Sequence, residues 1–135
     1  MGADQHVPIE AEHDIVVARQ LARELARELG FGAIDQSRVA TAVSELTRNV
    51  IRYATDGRGL ATMHRVEADG RVGLEIVVAD EGPGIADIDL VMTEGYTSGE
   101  GLGLGLSGTK RLMDEMELES AVGQGTTVTI RKWRR

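Results

Sequence analysis

Two stretches, "GLATMHRVEADGRVGLEIVVAD" at 59–80 and "LESAVGQGTTVTIRKW" at 118–133, constrain the fold most. Each contains two β-branched strand patterns separated only by a tight-turn signal, Ala68-Asp69-Gly70 in the first and Gly123-Gln124-Gly125 in the second. Strands joined this closely must run antiparallel, because a parallel crossover needs about a dozen residues or more. A wholly parallel, doubly wound sheet is therefore excluded.

The remaining periodic segments read as helices. Ile15, Ala18, Leu21, Ala22, Leu25 and Leu29 recur at helical spacing until Gly30, a residue suited to ending a helix. A second pattern runs from about Gln36 to Ala54, with Val39, Val43, Leu46, Val50, Ile51 and Ala54 near one face. "VPIE" at 7–10 fits a short edge strand, "DIDLVMTEG" a short helix, and "SGTKRLMDEM" a further helix. The expected architecture is a two-layer α/β sandwich: a mixed, mostly antiparallel sheet with helices covering one face. With no repeat or linker, residues 1–135 are expected to form one domain.

Composition narrows the partners. Fifteen basic against 22 acidic residues give a net charge of −7, which disfavours sequence-independent binding to nucleic acid or an anionic membrane. The chain has no cysteine, so thiolate chemistry and disulfides are unavailable. No apolar run approaches the ~20 residues of a membrane span. "MGADQHVPIE" lacks a signal-peptide pattern, and a cytoplasmic location is expected.

The glycines are unevenly spread, and "GEGLGLGLSGTK" places five of them in positions 99–110. "GLGLSG" satisfies G-x-G-x-x-G, but the residues before it, "TEGYTSGE", do not form the strand that a dinucleotide fingerprint requires. A P-loop is excluded because it needs Gly-Lys-Ser/Thr, whereas this chain has Gly108-Thr109-Lys110. Regular Gly-Leu alternation leading into a helix still suits a phosphate seat made of backbone N–H groups.

Three further elements stand beside it, and each taken alone reads equally as a solvated helix stripe, a turn after a strand or a hairpin. Glu45 and Asn49, four residues apart, share one helix face, and Tyr53 continues the line. "DEGPGI" ends a strand at Asp80, and "GQGTTV" opens the last one. Thr126 has the same strand parity as Val128 and Ile130, so its hydroxyl faces the sheet's interior side, while Thr127 points away.

This ordered set of Glu-x-x-x-Asn, Asp-x-Gly-x-Gly, Gly-x-Gly-x-Gly and Gly-x-Gly-Thr resembles the GHKL ATP-binding (Bergerat) fold of gyrase, the Hsp90 chaperones, histidine kinases and MutL. By size, and over "EHDIVVARQLARELARELGFGAIDQSRVATAVSELTRNVIRYA" and "GLGLGLSGTKRLMDEMELES", the chain is similar to the anti-sigma-factor serine kinases. Within them it looks like the stressosome switch kinases of the sigma-B pathway.

The resemblance implies an ATP- and Mg²⁺-dependent kinase that phosphorylates a serine on STAS-domain partners. On release, it would activate a PP2C-type phosphatase. Asp80 would take the adenine amine, with Gly82 and Gly84 letting the backbone approach the base and Thr126 supplying a hydroxyl nearby. Asn49 would hold Mg²⁺, Glu45 would accept the serine proton, and Gly101, Gly103 and Gly105 would close over the phosphates. Residues 95–107 are then expected to be mobile without nucleotide.

Departures from the family pattern matter. Tyr53 stands where a His often follows the motif Asn, and His6, His13 and His64 lack the context of a phosphoacceptor. Gly99-Glu100 replaces an Arg that some relatives place before the lid, leaving Arg48 and Lys110 as candidate γ-phosphate cations. "RKWRR" at 131–135 reads either as a basic docking tail or as a strand end with Trp133 folded onto the domain. Two other functions stay open: a kinase that itself sequesters a sigma factor, and a nucleotide-gated binding module with little kinase activity.

Overall fold

In chain order the protein forms β1 (Gln5–Ile9), α1 (Glu12–Glu28), α2 (Ala33–Tyr53), β2 (Gly59–Ala68), β3 (Arg71–Asp80), α3 (Gly105–Leu112), β4 (Glu115–Ala121) and β5 (Gly125–Trp133). These elements are those of a computed structural model, which describes residues 4–54, 58–82, 92 and 105–135. The expected short helix at 87–95, apart from Met92, and most of the lid expected at 95–107, including Gly101 and Gly103, lie outside the described residues, as does Gly84.

The five strands make one sheet in the order β1-β2-β3-β5-β4, and all four pairings are antiparallel. Its inward face carries Val7, Ile9, Ala61, Met63, Leu74, Ile76, Val78, Val128 and Ile130, all buried. Alternation of period two puts these residues on one side, and the helices cover that side. Each fully buried aliphatic side chain of this kind contributes about 1.5–3 kcal/mol by leaving water.

Helix α1 buries Ile15, Ala18, Ala22 and Ala26. These mostly small side chains allow it to lie close to α2, whose Val39, Val43, Leu46 and Val50 fill the space above the sheet. Asp14 accepts the N–H groups of Glu10 (2.9 Å) and Ala11 (3.1 Å), tying down the first turn of α1. Gly30, at φ +93°, ends the helix in the left-handed conformation that the sequence predicts.

One boundary differs from the sequence expectation. "SGTKRLMDEM" is helical only to Leu112, and its last residues, Glu115 and Met116, belong to β4. Asp114 N–H donates to Arg131 O at 3.0 Å, and Glu115 then pairs with Arg131. The Glu-Met-Glu-Leu-Glu-Ser alternation directs Glu115, Glu117 and Glu119 outward and leaves Met116, Leu118 and Ser120 half-buried. Long-range pairing thus overrides the local helix preference.

The C-terminal "RKWRR" is a strand end. Trp133 is buried, its Nε1 donates to Glu115 Oε2 at 2.8 Å, and Arg71 lies 4.5 Å from its ring centroid. Lys132, only 4% exposed, donates to Leu112 O at 2.9 Å and lies 3.7 Å from Asp35 and 3.8 Å from Asp114. The buried ammonium therefore links the end of α3 to the start of α2.

Candidate functional site

The site is built on one cross-strand row at the end of the sheet. Register pairs Gly59 with Asp80, Asp80 with Thr126, and Thr126 with Ser120, so one row runs across β2, β3, β5 and β4. Parity points Asp80, Thr126 and Ser120 toward the helical layer.

Asp80 ends β3, where the chain leaves the sheet, and its Oδ1 accepts the Thr126 N–H at 3.3 Å. Burial pushes its carboxyl above the usual aspartate range, while hydrogen bonds from the backbone of Thr126 and Gly82 oppose that rise. The result is a desolvated carboxylate oriented by backbone donors, well suited to accept from an amine. Gly82, one of the residues expected to approach the base, is buried directly beside it.

Gly125 makes this geometry possible. Its φ is +83°, and a Cβ there would lie 2.1 Å from Asp80 O. Any other residue would force β5 away from the carboxylate. On the other side, a Cβ at Gly59 would lie 2.5 Å from Ala79 O and 2.8 Å from Val50 Cγ1, so glycine there lets α2 approach the end of the sheet.

Helix α2 presents Glu45 and Asn49 one turn apart, flanked by buried Leu46 and Val50. The Glu45 side chain is 13% exposed, and its Oε2 accepts from Arg48 Nη1 at 2.9 Å. Arg48 is therefore engaged by the candidate base itself. Asn49 is half-buried. Among the described residues, no group of three or more His, Cys, Asp or Glu could hold a metal ion. A single neutral amide oxygen fits Mg²⁺ only when phosphates and water complete the shell, which is how that ion is usually held.

Gly105 opens α3 at φ +65° and its carbonyl accepts from Thr109 Oγ1 at 2.9 Å. Lys110 lies on the exposed side of the same helix. The structure thus describes Glu45, Asn49, Asp80, Gly82, Gly105 and Thr126. It joins Asp80 to Thr126 directly and puts Glu45 and Asn49 on one helix.

Sequence reasoning did not single out Ser120. Its Oγ donates to Gly125 O at 2.9 Å and lies 2.9 Å from Thr126 Oγ1. The signal was its parity with Met116 and Leu118 in β4.

A family model described as histidine kinase-, DNA gyrase B- and HSP90-like ATPase matches residues 34–135. The chain belongs to this family. It is 51% identical over 129 residues, 96% of each chain, to the serine/threonine-protein kinase RsbT of Bacillus subtilis (strain 168). With that end-to-end similarity and an ATPase fold, the protein is an ATP-dependent protein-serine kinase similar to RsbT. It is also 32% identical over 120 residues to an anti-sigma F factor of Caldanaerobacter subterraneus, covering 86% of this chain and 82% of that one.

Among solved structures, the RsbU and RsbW domains of Rv1364c from Mycobacterium tuberculosis superpose with a TM-score of 0.64 at 21% identity, covering 98% of this chain and 33% of that one. The mycobacterial sensor histidine kinase MprB superposes at 0.59 and 22%, covering 97% and 99%. Both share the fold. None of the helices in the described residues is long and apolar enough to cross a membrane.

Proposed function

We propose that the protein transfers the γ-phosphate of Mg²⁺-bound ATP to a serine of a STAS-domain partner in the cytoplasm, and that release from this partner frees it to activate a PP2C-type phosphatase. The observation that carries the nucleotide half is the Asp80–Thr126 junction, a desolvated carboxylate that accepts the Thr126 N–H where Gly125 packs against the Asp80 main chain. The partner half rests on the resemblance to the stressosome switch kinases.

In this reading Asp80 accepts the adenine amine, and Gly82 and Gly84 leave room for the base. Gly101, Gly103 and Gly105 wrap the phosphates with backbone N–H groups. Asn49 would hold Mg²⁺, which when bound neutralises charge on the β- and γ-phosphates. The serine Oγ forms a bond to the γ-phosphorus, the bond from that phosphorus to the β–γ bridging oxygen breaks, and ADP leaves. Glu45 accepts the hydroxyl proton. Arg48 orients the Glu45 carboxylate from one side.

The test incubates the protein with labelled ATP, Mg²⁺ and a purified STAS-domain protein, beside Glu45→Ala and Asp80→Asn. Glu45→Ala should lower phosphoryl transfer by roughly a hundredfold or more while leaving ATP affinity within a few fold. Asp80→Asn should lose ATP affinity. Equal labelling by wild type and Glu45→Ala would remove the general base from the mechanism.

The similarity to anti-sigma F factors supports a second reading, in which the protein binds a sigma factor directly. A pull-down with sigma factor in ATP or ADP separates the two, because only the second reading requires nucleotide-dependent capture.

A further inference from the structure

We propose that Arg48 is the catalytic cation of the phosphoryl transfer: it keeps Nη1 on Glu45 and turns its remaining N–H groups to the γ-phosphoryl group. The inference rests on the mechanism proposed above and adds a residue to it.

The need for such a cation follows from where the base must stand. To take the serine proton, a Glu45 oxygen must come within about 2.6–3.2 Å of the serine Oγ, which attacks the γ-phosphorus from about 3–3.5 Å. An ionised carboxylate and a phosphoryl group are thus drawn to either side of one oxygen atom, and they repel. The Glu45 side chain is only 13% exposed, so water and salt screen that repulsion poorly. A positive group that touches both relieves it.

Arg48 has the position and the donors for this. Glu45, Arg48 and Asn49 stand at i, i+3 and i+4 on α2, so the Arg48 stem starts about 4.5 Å along the axis from the base and about 1.5 Å from Asn49. Nη1 donates to Glu45 Oε2 at 2.9 Å, one N–H of a fork that carries several. The Arg48 side chain is 35% exposed, so the N–H groups on Nη2 and Nε can meet a ligand without giving up Glu45. A planar guanidinium suits two acceptors at once, a carboxylate on one side and phosphate oxygens on the other.

Other basic side chains fit this task less well. Lys110 lies on the exposed side of α3 and offers a point charge, and Arg52 is exposed about 10 Å along the axis beyond Glu45. Among the described residues, Arg48 alone pairs with Glu45. In the transfer Arg48 neither gains nor loses a proton. The serine Oγ–phosphorus bond forms, the bond to the β–γ bridging oxygen breaks with its electron pair going to ADP, and the serine proton goes to Glu45. As Glu45 becomes neutral its hold on Arg48 weakens, and the guanidinium turns to the phosphoryl oxygens where charge is moving.

The test measures ATP and ADP affinity by calorimetry without a protein substrate, and labelled transfer to a purified STAS-domain protein. The proteins are wild type, Arg48→Met, Arg48→Lys, Glu45→Gln, the Arg48→Met/Glu45→Gln double variant, Lys110→Met and Arg52→Met. Arg48→Met should narrow the ATP:ADP preference by roughly fivefold to tenfold, the effect of about one hydrogen bond to a charged group, chiefly through weaker ATP binding. It should also slow transfer by roughly a hundredfold or more. The ratio should narrow as much in the Glu45→Gln background, because the phosphate contact does not pass through Glu45. Arg48→Lys, which keeps the charge without the fork, should fall between Arg48→Met and wild type in both measurements.

An arginine that only orients the carboxylate would leave the ATP:ADP ratio unchanged and have no effect on transfer once Glu45 is replaced, and that result overturns the proposal. So does a narrowed ratio confined to Lys110→Met or Arg52→Met, which would move the contact to that residue. If Glu45→Gln transfers at the wild-type rate, the base is misassigned and this proposal falls with it. A crippled Glu45→Gln beside an Arg48→Met variant of wild-type ratio refutes the role of Arg48 alone.

Discussion

Replacing Gly125 by alanine should separate backbone strain from collision, because Gly123 provides a control two residues away. Gly123 has φ +80° with nothing within 4 Å of an added Cβ, whereas Gly125 has φ +83° with Asp80 O at 2.1 Å. Both substitutions force an L-residue into the left-handed region, at about 1–2 kcal/mol. Only Gly125→Ala must also displace Asp80 by about an ångström, since real Cβ contacts essentially never fall below 3.0 Å.

That displacement breaks the charge-assisted bond from Thr126 N–H to Asp80, worth about 1.5–3 kcal/mol. Gly123→Ala should therefore lose about 1–2 kcal/mol and Gly125→Ala about 3–5 kcal/mol in urea unfolding at unchanged m. ATP affinity should fall in Gly125→Ala and stay near wild type in Gly123→Ala. If the two variants are equally destabilised, the close approach of β5 to Asp80 is not what fixes this junction.

Asp80→Asn should stabilise the nucleotide-free protein near neutral pH while impairing ATP binding. Burial raises the Asp80 carboxyl, so folding favours its protonated form, and stability is lost as pH rises through the raised value. The advantage of Asn should thus vanish in acid, below the ordinary aspartate range. A gap in thermal stability that does not change with pH would refute this. Lys132→Met should cost about 2–4 kcal/mol, because Leu112 O loses its donor and Asp35 and Asp114 lose a neighbouring buried cation. Urea unfolding within 0.5 kcal/mol of wild type would contradict that account. Gly73→Ala would bring a Cβ within 2.6 Å of Trp133 Cε3 and 2.8 Å of Lys132 O. Trp133 is the sole tryptophan, so a displaced indole should show as shifted fluorescence, and an unchanged spectrum would count against the packing described.

Elements whose identity depends on local pattern were legible in the sequence. The 3.6-residue spacing from Ile15 to Leu29, the stop at Gly30 and both glycine turns all reappear in the structure. Strand parity also put Thr126 on the interior side, next to Asp80. What escaped depends on partners distant in the chain. Met113 to Met116 favour helix locally, yet Arg131 draws Glu115 into the sheet. Lys132 sits among basic residues and reads as a surface tail until the α2 and α3 ends are seen closing over it. Ser120 is an ordinary strand residue until Gly125 and Thr126 are placed within hydrogen-bonding distance.

The place of β5 in the sheet has a consequence for how the chain is made. It inserts between β3 and β4, and β4 precedes it in sequence yet, among the described residues, has no other strand neighbour. During vectorial synthesis, β1, β2 and β3 can assemble early, but β3 keeps an open edge and β4 has no strand to join until residues 125–133 emerge. Until then Asp80 also lacks the Thr126 N–H that orients it. A nascent chain therefore cannot form the Asp80–Thr126 junction before the sheet is closed, so in the reading proposed above nucleotide capture would report that folding is complete.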